Sequence, residues 1–292
     1  MRLATVMYNG KTVSGEIRGD YLYIIGEGDL KNYLQYHGEP KGEVVRLSEV
    51  HFQPPLINYV ICVLVNSAKM LGYEDPAEAR RELRHPRFAI KTPNTLIGNR
   101  SVIRAPKEGI RPEVEIAIIT RKRIKGDLDM ERDILGYTVF NDITAPAFAK
   151  DDSFYAYRRD PHTGVVKREY IRGAPFIRKN FDTFGPIGPW IVTLEEFGDF
   201  RGKLMISIFN GEVVQKGSSS ELLFDDREVI RYLASIMTLE PGTIVSLGSI
   251  GYIHGQKDQS EYLLPQVEGI LEAEVEGVGR LTNRVEITHT SP

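Results

Sequence analysis

The sequence predicts a mainly β protein with minor helices, of the α+β class, and three observations support this. Short runs rich in Val, Ile, Tyr and Phe recur along the chain, 27 glycines and 16 prolines punctuate 292 residues, and one segment alone has convincing helical periodicity. Strand-like runs do not alternate with helices of roughly ten to fifteen residues, which argues against a doubly wound parallel sheet.

Taken in order, RLATVMY and TVSGEI flank Asn9-Gly10, the dipeptide best suited to a two-residue hairpin turn, and YLYII (21–25) supplies a third strand. A short amphipathic stretch follows at 29–37. Pro54-Pro55 then marks a boundary, because neither residue donates to a sheet, so we divide the chain into a small N-terminal β-rich domain (1–53) and a main domain (54–292). NYVICVLV (58–65) reads as a buried strand. DPAEARRELRH reads as a charged surface helix with Asp75 as N-cap and Glu78 placed for a capping box. Residues 143–177 resist assignment, are longer than most loops, and read as a lid. LMISIF and EVVQ pair across Asn210-Gly211, and DDREVIRYLASIMTL is an amphipathic helix with Val229, Ile230, Leu233 and Met237 on one face. Further strands run through FDTFGPIGPWIVT, TIVSLGS and ILEAEVEGVGRLTNRVEI.

With 37 basic and 40 acidic residues the net charge is −3, so charge makes no case for nucleic acid or an anionic membrane, and small molecules are the expected partners. Cys62, the one cysteine, excludes an intramolecular disulfide and a cysteine-based metal site, and it points to a reducing compartment. No signal-peptide apolar region opens the sequence and no apolar run approaches the ~20 residues of a membrane span, so the expected location is cytoplasmic.

Chemistry concentrates between Arg111 and Asp142. In RPEVEIAIIT, residues two apart share a strand face, so Glu113 and Glu115 point one way while Val114, Ile116 and Ile118 point the other. Paired carboxylates repel unless a cation or proton intervenes, so the pattern suits either a watery sheet edge or a metal site. Asp142, after GYTVFN, reads equally as a turn residue. An all-oxygen set of Glu113, Glu115 and Asp142 favours Mg²⁺, Mn²⁺ or Ca²⁺ over zinc.

The motifs PRFAIKTPNTLIG (86–98), EVEIAII (113–119), GYTVFND (136–142), KNFDTFGPIGPWIVT (179–193), NGEVVQKG (210–217), LEPGTIVSLGS (239–249) and EVEGVGRL (274–281) occur in an order and spacing that resembles the fumarylacetoacetate hydrolase family. The resemblance covers roughly residues 55 to 285. It implies a mixed β-roll fold, a homodimer, and a divalent metal, Mg²⁺ first, held by Glu113, Glu115 and Asp142. It further implies Lys179 as the active-site lysine, Gln215 as a donor to a substrate carboxylate, and Ser249 in place of the family's usual threonine.

The family substrates this implies are small 2-oxo acids or acylpyruvate-type 1,3-dicarbonyls, cleaved at a C–C bond through a metal-stabilised enolate. One departure matters. Where the family commonly carries a His and a Glu that activate water, this chain has Met70 and Tyr73. The substitutes on offer are Glu74, His85 and His162, each of which reads equally as a solvated surface side chain. The missing pair raises a lyase or isomerase reading (decarboxylase, 2-keto-3-deoxy acid dehydratase or dienoate isomerase), and also a non-catalytic metal-bound binding module. The long segment 152–178 carries Arg158, Arg159, Arg168 and Arg172, positioned to close over an anionic substrate or simply to be solvated.

Overall fold

The computed structural model describes residues 1–36, 42–255 and 257–288. The strands in chain order are β1 (Arg2–Tyr8), β2 (Lys11–Arg18), β3 (Tyr21–Glu27), β4 (Val44–Arg46), β5 (His51–Phe52), β6 (Val60–Val63), β7 (Phe88–Lys91), β8 (Leu96–Ile97) and β9 (Val102–Pro106). They continue with β10 (Val114–Thr120), β11 (Ile134–Asn141), β12 (Ser153–Arg159), β13 (Val166–Arg172), β14 (Gly185–Thr193), β15 (Leu204–Phe209), β16 (Glu212–Ser218), β17 (Ile244–Ser249), β18 (Gly269–Val275) and β19 (Gly279–Thr288). A 12-stranded sheet runs β4-β3-β2-β1-β14-β11-β10-β17-β6-β7, with β5 on β1 and β8 on β14, and a 5-stranded sheet runs β16-β15-β18-β19-β9. Most pairs are antiparallel, but β17–β6, β14–β8 and β19–β9 are parallel, so both sheets are mixed. The mainly β expectation holds.

Both Asn-Gly hairpins form as the sequence predicts. Asn9 and Gly10 have φ of 48° and 74°, and Asn210 and Gly211 have 51° and 85°, the doubly positive pattern that matches strand twist. Residues 1–53 have a core of their own, including Ala4, Val6, Leu22 and Phe52. Yet β1 pairs with β14 at Arg2↔Val192 and Leu3↔Ile191, so the backbone ladder runs on into the rest of the sheet. The amphipathic stretch at 29–37 is helical over Leu30–Tyr36, and His37 lies outside the described residues.

The helix Asp226–Ile236 starts with a complete capping box from Asp225 and Glu228, and it buries Val229, Ile230 and Leu233. Met237, expected on that face, is instead the C-cap and 43% exposed, because the helix ends before the next turn. The charged helix Pro76–Leu83 is also better anchored than its composition suggests. Asp75 caps it through Ala77 N, Ala79 and Leu83 are buried, and Arg80 grips Glu228, while the cap forms without the reciprocal Glu78 bond. Segment 143–177, which the sequence leaves unassigned, contains the β12–β13 hairpin, a two-stranded sheet closed by the DPHTG turn, where Asp160 Oδ1 accepts from His162 N and Thr163 N. No helix among the described residues is long and apolar enough to cross a membrane.

Candidate metal centre and active site

Strand β10 lies between β11 and β17, so it has no free edge, and every residue of it is buried. Val114, Ile116 and Ile118 enter one core cluster, while Ala117 and Ile119 enter another from the opposite face. Burying each large aliphatic side chain is worth roughly 1.5–3 kcal/mol, which fixes the face on which Glu113 and Glu115 emerge. The watery-edge alternative is thereby removed. Asn141 secures the neighbouring corner, since its Oδ1 accepts from Glu113 N at 3.0 Å, and Asp142 N donates to Glu113 O at 2.9 Å.

Glu113, Glu115 and Asp142 are 6%, 2% and 2% exposed, and one carboxylate oxygen from each lies within 4.8 Å of the others. Lys179 Nζ donates to Asp142 Oδ2 at 2.5 Å, Thr144 Oγ1 at 3.0 Å and Glu113 Oε2 at 3.2 Å. It is held there by the turn Ile177–Lys179, whose leading amides on Phe176 and Ile177 donate to Asp152 Oδ1. Glu115 Oε2 accepts from Ser246 Oγ and from Gly248 N.

The electrostatics follow from the crowding. Burial, then Asp142 and Glu113, push the Glu115 carboxyl well above the usual range. Burial alone would raise Asp142 too, but Lys179 and Lys91 hold it below its ordinary value. For Lys179, burial works against the charge and Asp142 and Glu113 overcome it, so the ammonium is stabilised. Behind the cluster the Cys62 thiol is buried and pushed up by that burial and by Asp142 and Glu115, which leaves it inert.

Lys91 was not singled out in the sequence. Its Nζ is fully buried and donates to Ile143 O, Lys179 O and Phe184 O at 2.8, 2.5 and 2.8 Å, tying both arms of the site together. With its donors aimed at those carbonyls, it stands 3.1 Å from Asp142 Oδ1 without giving it a hydrogen bond, and that buried oxygen has no donor. A lysine at the core-facing position after Ala89 in FAIK was the available signal. Arg111 was missed as well; its Nη2 is 3.6 Å from Glu113 Oε1 and its Nη1 donates to Ser260 O.

The cluster opens on a cavity of about 190 Å³ that is also lined by Val63, Met70, Arg178 and Ser249. Ser249 Oγ donates to Val114 O at 2.9 Å. Gln215 is fully buried, accepts from Val114 N, and donates to Ser249 Oγ and Ile250 O, so its amide joins β16, β10 and β17 and offers no spare donor. The three substitutes for a base stand elsewhere. Glu74 is exposed before the Pro76–Leu83 helix, His85 is exposed and stacks on Tyr232 at 5.1 Å, and His162 sits at the hairpin tip. None lines the cavity: the segment after Tyr73 folds as a surface helix that Arg80 ties to Glu228, and His162 belongs to the turn between β12 and β13.

Fold and site define a mainly β protein with a central cavity whose buried carboxylate triad is suited to a metal ion. Residues 59–286 match the Fumarylacetoacetate (FAA) hydrolase C-terminal family, and the chain belongs to it. Members of that family are enzymes, including hydrolases, isomerases and decarboxylases. The chain is 37% identical over 228 residues to an uncharacterized protein of Pyrococcus abyssi, covering 75% of this chain and 84% of that one. It is 30% identical over 221 residues to the 4-hydroxyphenylacetate degradation bifunctional isomerase/decarboxylase of Salmonella dublin, covering 74% of this chain and 45% of that protein. Among solved structures, 5-carboxymethyl-2-hydroxymuconate delta-isomerase from Mycobacterium smegmatis superposes with a TM-score of 0.75 at 26% identity, over 99% of this chain and 100% of that one. Maleylpyruvate hydrolase from Sphingobium sp. SYK-6, in complex with manganese(II) and pyruvate, gives 0.69 at 21% identity over 99% and 100%, a likeness of fold alone.

Proposed function

We propose that this chain is a divalent-metal-dependent enzyme that cleaves a C–C bond in a small 2-oxo acid or acylpyruvate-type 1,3-dicarbonyl by way of an enolate. The observation that carries this reading is the buried triad of Glu113, Glu115 and Asp142 with Lys179 Nζ 2.5 Å from Asp142 Oδ2, in one cavity wall. The donors fit a hard cation: all are carboxylate oxygens, and the buried Asp142 Oδ1 has no hydrogen bond, its nearest cation being Lys91 Nζ at 3.1 Å. Mg²⁺ is the ion we assign, with Mn²⁺ and Ca²⁺ as alternatives. Once bound, such an ion supplies Lewis-acid stabilisation of charge on adjacent carbonyl and carboxylate oxygens.

The protein's own groups supply the rest. Lys179 keeps its ammonium beside the position of the developing oxyanion. Arg111 and Arg178 present guanidinium groups that suit a substrate carboxylate. Val63, Leu64, Val65, Met70 and Pro175 add apolar lining beside Ser249 and Ser260, and this apolar wall strengthens each of these interactions by lowering the local dielectric. A homodimer, implied by the motif resemblance, and a cytoplasmic setting, suited to a single buried cysteine, belong to the same proposal.

A second reading, a lyase or isomerase, has its own support: beyond the triad, no Asp, Glu or His lines the cavity among the described residues. A reaction that only moves protons and electrons within the substrate needs no activated water. The test has two parts. Mg²⁺ or Mn²⁺ is expected to raise the melting temperature, and Glu115→Ala to abolish that shift; no response in the intact protein sinks the metal reading. Turnover in heavy-oxygen water separates the two chemistries, since label entering a product carboxylate requires hydrolysis.

A further inference from the structure

Lys179 has a long, flexible side chain, so the contacts of its ammonium are only as fixed as the backbone that carries it. On its C-terminal side that backbone is gripped from β7 and the residue that follows it. Lys91 Nζ donates to Lys179 O at 2.5 Å, and the Asn180 side chain donates to Ile90 O at 3.0 Å and accepts from Thr92 N at 2.7 Å. Ala145 N, beyond the end of β11, donates to Arg178 O at 2.8 Å.

On the N-terminal side the grip comes from Asp152, at the base of the β12–β13 hairpin. Its Oδ1 accepts from Phe176 N at 3.0 Å and Ile177 N at 2.6 Å, and its Oδ2 accepts from Arg178 N at 3.4 Å. Arg178 Nη1 stands 3.4 Å from the same Oδ2, and the Asp152 side chain is 1% exposed. A carboxylate that takes three successive amides and faces a guanidinium makes charge-assisted bonds, stronger than neutral ones, so the residues leading into Lys179 are held as a unit. The hairpin touches this anchor through its backbone. Asp152 directly precedes β12, where Ser153 pairs with Arg172, and Gly173 follows β13. A Cβ at Gly173 would collide with Asp152 O, so the absence of a side chain lets the two strand ends pass this closely. No residue of β12 or β13 is buried, so the base fixes where the hairpin stands.

We propose that Asp152 is a positioning residue that couples the hairpin to Lys179: it sets the turn from which the ammonium reaches the developing oxyanion, without touching the substrate itself. The assignment rests on the enolate chemistry proposed above. Precise placement is worth this anchor, because a misplacement of about 1 Å in a catalytic group costs on the order of a hundredfold.

The test is isothermal titration of the Mn²⁺-loaded full chain with oxalate, whose planar dianion mimics the enolate of a 2-oxo acid. Asp152→Asn keeps the side-chain size and one acceptor oxygen but removes the charge. It should weaken oxalate about tenfold, while Mn²⁺ affinity, governed by the triad at the ends of β10 and β11, moves by less than about twofold. In a Lys179→Ala background the same substitution should move oxalate by less than about twofold, because a residue that acts through the lysine then has nothing to place. Gly173→Ala, which forces the strand ends apart, should repeat both results. Equal weakening with and without Lys179, or none with it, overturns the positioning role and leaves the catalytic reading standing. Weakening in Asp152→Asn but not in Gly173→Ala overturns the coupling to the hairpin. Failure of the parent chain to bind oxalate overturns both the positioning role and the catalytic reading.

Discussion

The cleft lined by Glu131, Glu195, Asp199 and Asp226 encloses about 670 Å³, against about 190 Å³ for the cavity that holds Glu113, Glu115 and Asp142. Both are rich in carboxylates, and size alone would favour the cleft. Its acids, however, are dispersed and satisfied. Glu131, Glu195 and Asp199 are exposed, while Asp226 accepts from Tyr137 Oη at 2.5 Å and from Arg227 N at 2.8 Å. In the smaller cavity three buried acids lie within a few ångströms of one another, one oxygen lacks a hydrogen bond, and two buried lysines offset the charge. The two differ in desolvated mutual proximity rather than in the number of acids or the volume, and on that ground the triad, not the cleft, is the proposed reactive centre.

Substitutions that treat the two concavities alike are the way to break this comparison. The largest effect is expected for Glu115→Gln, which should lower turnover of a responsive 2-oxo acid on the order of a thousandfold and remove the metal-induced rise in melting temperature. Asp199→Asn, on the cleft, should leave both within about twofold, and a comparable loss there would undo the distinction. Lys179→Ala comes next, with kcat expected to fall about a hundredfold while the metal shift survives. Lys179→Arg should not restore it, since a planar guanidinium cannot reproduce three ammonium contacts.

Two stability measurements sharpen the contrast further. Lys91→Met leaves the buried carbonyls of Ile143 and Lys179 without a donor, while Phe184 O keeps the one from Ile143 N, and should cost roughly 3 kcal/mol in denaturant unfolding. Tyr137→Phe, in the cleft, removes one buried hydrogen bond and should cost about 1–2 kcal/mol with turnover unaffected. That deficit carries a pH signature. Burial raises the folded-state value of Asp226 and the Tyr137 bond opposes it, so Phe raises it further. An acid with a raised folded value binds its proton more readily folded than unfolded, so its penalty is present at neutral pH and fades as pH falls through the raised value toward the ordinary carboxylate range. The gap between Tyr137→Phe and the parent should therefore narrow on acidification.

Local elements were legible where one short-range rule governs them. The Asn9-Gly10 and Asn210-Gly211 turns follow from two positive φ angles, and the Asp226–Ile236 helix follows from its capping residues and apolar stripe. Met237 escaped because helix termination is decided by how the next residues pack, which periodicity does not encode. The β12–β13 hairpin was missed for a related reason: its alternating Tyr and Arg residues pack against no core, so no apolar face announced the strands.

By itself the sequence determined that Glu113 and Glu115 share a face, because side-chain alternation along a strand is a property of the backbone. The motifs, read as a resemblance, added Asp142 and Lys179 to that pair. Only the tertiary structure decided that β10 is interior, that Lys91 braces both halves of the site, that Gln215 is taken up by strand-to-strand bonds, and that Arg111, Arg172 and Arg178 converge from separate segments. Those facts depend on contacts between residues dozens to more than a hundred positions apart. Burial and hydrogen-bond partners are properties of the packed whole, and they, rather than residue type, set whether a charge is solvated, paired or left available for chemistry.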